Sequence, residues 1–79
     1  MKMTEKQKRV LLAFGVAPVA RTPTELGKSC GKSYAQASSW ASSALRALEQ
    51  KGLVERVNAL GFWRLTEAGR FAAAKERNA

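Results

Sequence analysis

Histidine and aspartate are both missing from this chain of 79 residues, and cysteine occurs only once. Without histidine there is no imidazole to act as a general base at neutral pH, and no His-based triad. Without histidine, aspartate or a second thiol, the usual transition-metal ligand sets cannot be assembled. The six acidic residues are all glutamates, and their positions suit helix caps and solvated faces. The expectation is a non-enzymatic protein with no cofactor and no metal. A single thiol, Cys30, rules out an internal disulfide. Its place near a helix end suggests a small buried hydrophobe in a reducing compartment. No stretch approaches the roughly 20 apolar residues of a membrane span. The opening Met1-Lys2-Met3-Thr4-Glu5 leads straight into a charged amphipathic segment, unlike a secretory signal. These absences point to a soluble, cytoplasmic protein without a membrane partner. A basic strip of Lys2, Lys6, Lys8 and Arg9 does not change this, because the first helix needs its apolar face for the core.

What is present is positive charge. Fourteen lysines and arginines against six glutamates leave a net charge of +8. On so short a chain this favours a polyanionic partner. Residues 1–32 carry seven basic and two acidic groups, and residues 33–79 carry seven and four. Hydrophobic residues make up 46% of the chain, enough for one folded domain across residues 1–79 rather than a disordered tail. A core this small leaves room for added stability from a homodimer.

Three Ser/Thr residues followed three positions later by Glu or Gln predict capping boxes. Thr4 with Gln7 opens a first helix to about Gly15, burying Val10, Leu11 and Phe14. Pro18 breaks the segment that follows. Thr22 with Glu25 opens a short second helix with Pro23 at its first position. Ser33 with Gln36 opens the longest helix, which runs to Gln50 or Lys51 and stops at Gly52 in a left-handed cap. Leu53–Val57 and Phe62–Leu65 read as strands joined by Asn58-Ala59-Leu60-Gly61. Trp63 and Leu65 share one face of their strand. Thr66 caps a last helix that carries Phe71 among alanines and loosens from Lys75, which leaves a core of about 4–74. Gly27-x-x-x-Gly31-Lys32-Ser33 superficially matches the end of a phosphate loop. It is one residue short and no strand precedes it, so it is read as a helix junction.

The helix–helix–helix–strand–strand–helix order is carried by Leu48-Glu49-Gln50-Lys51-Gly52-Leu53-Val54-Glu55-Arg56 and by Arg64-Leu65-Thr66-Glu67-Ala68-Gly69-Arg70. It resembles the winged helix-turn-helix domains of small MarR-type and related bacterial or phage transcriptional regulators. The resemblance covers Thr4 to about Ala74. It implies a mainly α fold with a small β-hairpin, and binding of double-stranded DNA through the third helix. Two features depart from the pattern. The stretch from Leu26 to Leu48 is about a turn longer, and the wing turn carries no Lys or Arg.

In such a module the N-terminal half of the later helix reaches base edges in the major groove. Spacing along that helix puts Ala37, Ala41, Ala44, Leu45 and Leu48 on its buried stripe, with Tyr34 near the edge and Trp40 on the flank. The base-facing candidates are Gln36, Ser39, Ser42, Ser43 and Arg46, with Gln36 the best reader because its amide can pair twice with adenine. The phosphate-contact candidates are Thr22, Thr24, Lys28, Lys32, Arg56 and Arg64. Specificity on a small site calls for a homodimer on symmetric DNA. The rival reading on the same fold is a protein-binding module, a phage or mobile-element accessory protein or inhibitor. It would meet a protein or nucleoprotein partner through the serine-rich face, Trp40 and an apolar wing tip at Leu60.

Overall fold

A hydroxyl side chain stands at the head of every helix. The structure, a computed structural model, describes residues 3–15, 19–57 and 61–78. Helix α1 spans Glu5–Ala13, α2 Pro23–Ser29, α3 Tyr34–Gln50 and α4 Glu67–Arg77, with strands β1 (Val54–Arg56) and β2 (Trp63–Leu65) between α3 and α4. Thr4 and Thr22 form full capping boxes with Gln7 and Glu25. Thr66 accepts from the Gly69 N–H at 3.0 Å and donates to the Gly52 carbonyl at 2.6 Å, which ties the start of α4 to the end of α3.

The expected box at Ser33 does not form, as Ser33 makes no side-chain cap bond. Its own carbonyl accepts from the Gln36 and Ala37 N–H groups, at 3.0 and 2.8 Å. The donor that the hydroxyl would have satisfied is therefore already paired through the backbone. Gln36 is left with its amide facing outward, exposed.

The helix ends explain two sequence features. Gly52 takes φ 77°, Leu53 N–H donates to the Leu48 carbonyl and Gly52 N–H to that of Glu49, both at 2.9 Å. This paired arrangement is a Schellman cap, which favours glycine in the left-handed position. The same pattern closes α2: Gly31 takes φ 85°, and Lys32 and Gly31 N–H donate to the carbonyls of Gly27 and Lys28, each at 3.0 Å. The apparent phosphate-loop ending is thus a helix cap, with its N–H groups turned onto helix carbonyls.

The core gathers Val10, Leu11 and Phe14 of α1, Leu26 of α2, Ala41, Ala44, Leu45 and Leu48 of α3, Val54, Trp63 and Ala73. Fully burying each large aliphatic or aromatic side chain contributes roughly 1.5–3 kcal/mol. Close approach depends on two glycines. A Cβ on Gly27 would strike the backbone of Ala37, and one on Gly69 would strike the Leu53 carbonyl. Gly27 therefore lets α2 lie against α3, and Gly69 lets α4 lie against the start of the hairpin.

The hairpin is antiparallel, pairing Val54 with Leu65, Glu55 with Arg64 and Arg56 with Trp63. Its strands are shorter than expected, although Val57 N–H still donates to the Phe62 carbonyl at 2.9 Å. A feature absent from the sequence pattern is a bridge between Arg21 and Trp63, in which the two residues exchange N–H···O bonds of 2.8 Å. It fastens the segment before α2 to the outer edge of β2. Helix α4 runs on past Lys75, because Glu76 meets Lys8 at 4.0 Å and Arg77 donates to the Gly15 carbonyl at 3.0 Å. The expected break at Pro18 and the turn at Asn58-Ala59-Leu60 lie outside the described residues. The fold is mainly helical, with four helices and one two-stranded hairpin among the described residues.

Candidate nucleic-acid interface

Helix α3 has two distinct faces. Ala37, Ala41, Ala44, Leu45 and Leu48 are buried, as their spacing predicts, while Gln36, Ser39, Ser43, Arg46 and Gln50 are exposed and Ser42 is half-buried. The five base-facing candidates thus come together on one outward side. Tyr34, expected near the edge of the buried stripe, is 77% exposed. It sits in the first turn, at the end of the helix beyond Ala37, where only Lys28 among the described cations stands over its ring.

The serines are less free than the sequence suggests. Ser39, Ser42 and Ser43 each donate to a carbonyl one turn back, those of Gln36, Ser38 and Trp40, at 3.3, 2.7 and 3.4 Å. Such bonds compete with outward contacts, so a DNA contact requires each hydroxyl to rotate. Gln36 and Arg46 have no such restraint. Arg46 forms no ion pair with any described residue.

The two borders of this face differ in charge. On the α1 side, Trp40 is half-buried and carries three cations around its ring. Lys6 Nζ lies 5.2 Å from the centroid, Arg9 Cζ 5.9 Å and Lys32 Nζ 5.1 Å. Lys6 also donates to Ser43 Oγ at 2.8 Å. Lys28 stands 5.9 Å from the ring centroid of Tyr34. None of these four cations pairs with a described carboxylate. On the hairpin side, Arg56 lies 3.9 Å from Glu49 and Arg64 2.6 Å from its cross-strand partner Glu55. Exposed pairs of this kind contribute about 0.2–1 kcal/mol. They do not lock the arginines, but they place a negative charge beside each.

The Thr22 hydroxyl is held in its cap by Glu25, whose carboxylate accepts from Thr22 N–H at 3.0 Å and from its O–H at 3.2 Å. An anion of the protein's own therefore occupies the head of α2. Thr24 is half-buried beside it.

Cys30 caps the end of α2 and is half-buried rather than buried. It lines a shallow cleft of about 320 Å³ with Arg9, Leu12, Ala13 and Ser29. Arg9 donates to the Cys30 carbonyl at 2.9 Å, and the thiol approaches the Arg9 carbonyl at 3.6 Å. Burial pushes the thiol pKa up, outweighing the pull of Arg9 and Lys32 in the other direction. A thiol held protonated is a poor nucleophile. Among the described residues, no three metal-binding side chains come together, and no helix is long and apolar enough to cross a membrane.

No family model, curated protein or solved structure matches the chain. Any functional assignment therefore rests on the geometry above.

Two elements of that geometry are not evident from the sequence. Lys6 and Arg9 stand out there only as part of a basic strip, and Trp40 only as a flank residue. A partial signal lies in the spacing of α1: with Val10, Leu11 and Phe14 buried, Lys6 and Arg9 fall together beside the core stripe, one turn apart. Which aromatic they meet depends on how α1 packs on α3.

Proposed function

We propose that the chain is a winged helix-turn-helix protein of the MarR-like kind that binds double-stranded DNA without catalysing a reaction. On this reading α3 enters the major groove, and the protein serves as a small transcriptional regulator in the bacterial cytoplasm, of bacterial or phage origin. The observation that carries the proposal is the outward face of α3. Gln36, Ser39, Ser42, Ser43 and Arg46 stand opposite a fully buried stripe, beside a border of cations that no described carboxylate neutralises. Gln36 offers a two-point amide for adenine, and Arg46, late in the helix, reaches a guanine or a phosphate. Lys28 and Lys32 contact backbone phosphates. Arg56 and Arg64 contribute less, because each must first leave a glutamate.

Replacing Gln36, Ser39 and Arg46 together with alanine tests the reading. The variant should melt close to the wild type, because none of the three is buried, and should bind duplex DNA at least tenfold more weakly. Unchanged affinity would show that α3 does not face the DNA. A second reading, docking to a protein partner, draws on Tyr34 and Phe71, which are 77% and 76% exposed. The two readings separate on salt dependence, since phosphate contacts make affinity fall steeply as salt rises.

A further inference from the structure

Three cations surround one indole on the border between α1 and α3. Lys6, Arg9 and Lys32 all lie within 6 Å of the Trp40 centroid, so by geometry no two of them are more than about 11 Å apart. That spacing is comparable to the screening length of roughly 8 Å at physiological ionic strength, and their mutual repulsion is only partly damped. No described carboxylate lies within 4.0 Å of any of the three. The indole face attracts each cation, but a neutral ring cannot cancel three charges.

The cluster also has a direction. By the 3.6-residue period, Trp40 lies on the flank of α3, next to Gln36 and Ser43 on the outward face. Lys6 reaches across to Ser43, linking the cluster to the base-facing row. Lys32 is held by the Schellman cap that ends α2, where its backbone N–H bonds the Gly27 carbonyl. The cations are thus anchored on two segments, α1 and the turn after α2, and converge on the edge of the face proposed to enter the groove. A membrane surface does not suit this patch. Val10, Leu11 and the C-cap Phe14 are already in the core and Leu12 is partly buried against it, leaving little to insert.

We infer that Lys6, Arg9 and Lys32, gathered around Trp40, form a phosphate clamp that grips one DNA strand on the α1 side of the groove. This rests on the DNA reading and refines it. The backbone contact lies on the helical side of α3, and the hairpin is the weakly bound edge. Phosphate oxygens entering the cluster relieve the repulsion among the three cations and bring Trp40 close to the DNA backbone.

The test is the salt dependence of duplex binding by the double variant Lys6→Gln/Lys32→Gln. Its control is Arg70→Gln/Lys75→Gln on α4, which removes the same net charge from exposed sites. Removing one neutralised phosphate should flatten the log–log slope by about 0.9. The clamp variant should therefore drop nearly two units of slope. Its affinity deficit should narrow by roughly tenfold between 50 and 200 mM salt, whereas the control should keep most of the wild-type slope. If the clamp variant melts early, Lys6→Gln alone carries the test, with half the change in slope. Equal slopes for clamp variant and control would overturn the clamp and leave the DNA reading standing. Failure of the wild type to bind duplex DNA at 50 mM salt would overturn both. Binding to phosphatidylserine vesicles as tight as to duplex, and equally sensitive to the clamp variant, would overturn the clamp in favour of a lipid surface.

Discussion

The two borders of α3 both carry cations and differ in what those cations face. On the α1 border, Lys6, Arg9 and Lys32 stand over the Trp40 ring with no described carboxylate paired to them. On the hairpin border, Arg56 also stands over a ring, 5.0 Å from the Trp63 centroid, but it and Arg64 are in addition matched by Glu49 and Glu55. An aromatic ring holds a cation in place and leaves its charge intact, whereas a carboxylate holds it and cancels it. Counting basic residues would rate both borders as positive. Their electrostatic potentials should differ, with the α1 border the more positive.

The contrast depends on a scaffold that holds both borders to one helix, and the largest expected effect comes from disturbing that scaffold. Leu48 is fully buried, and Leu48→Ala should cost about 2–5 kcal/mol, the usual range for such a cavity. Urea denaturation measures this directly. A decrease below about 0.5 kcal/mol, the level typical of surface changes, would mean that α3 is not packed as described. Next in size is the asymmetry itself. Arg56→Gln/Arg64→Gln should flatten the salt slope of DNA binding by less than half as much as Lys6→Gln/Lys32→Gln. Equal effects would erase the distinction between the borders.

A subtler change should sharpen the contrast by reducing it. Glu49→Gln/Glu55→Gln releases the two hairpin arginines and should strengthen duplex binding several-fold at 50 mM salt. Stability should change by no more than about 1 kcal/mol, as for exposed pairs. Weaker or unchanged binding would show that the hairpin border stays far from the DNA whatever its charge. The smallest effect concerns Cys30, at the back of the clamp beside Arg9. Its raised pKa should make alkylation by iodoacetamide at pH 8 slower in the folded protein than in urea. The folded state also holds its thiol proton more tightly than the unfolded chain does. That contribution to stability is therefore complete below the unfolded thiol pKa and lost as pH rises through the folded one. Equal alkylation rates would place the thiol in open solvent.

Much of this architecture is legible in residue spacing. The buried stripe of α3 follows residue by residue, because seventeen residues of helix give a long enough period to separate its faces. Thr4, Thr22 and Thr66 mark helix starts because each has a distinctive partner three positions on, or a strand just before it. Ser33 looks the same in sequence yet forms no box, since its side chain competes with its own carbonyl for the same N–H, and composition does not reveal which wins. The Arg21–Trp63 bridge involves one residue on each side and leaves no periodic trace. The pairing of Glu55 with Arg64 follows from strand register, which depends on the turn geometry and not on composition. The Trp40 cluster is hidden for a different reason: its members come from α1, from the turn after α2 and from α3, and meet only when those segments pack. Local pattern shows which side of a helix is buried, but long-range packing decides which charges are left uncompensated.

The most direct test of the central claim is equilibrium binding of the wild-type chain to a fluorescently labelled mixed-sequence duplex, followed by anisotropy from 50 to 200 mM salt. A non-nucleic acidic polymer serves as competitor. With some five or six phosphates neutralised, affinity should fall by roughly three powers of ten across that range, and the duplex should be held against the competitor. No binding at 50 mM, or binding insensitive to salt, would contradict the account and move the search to a protein partner on the outward face of α3.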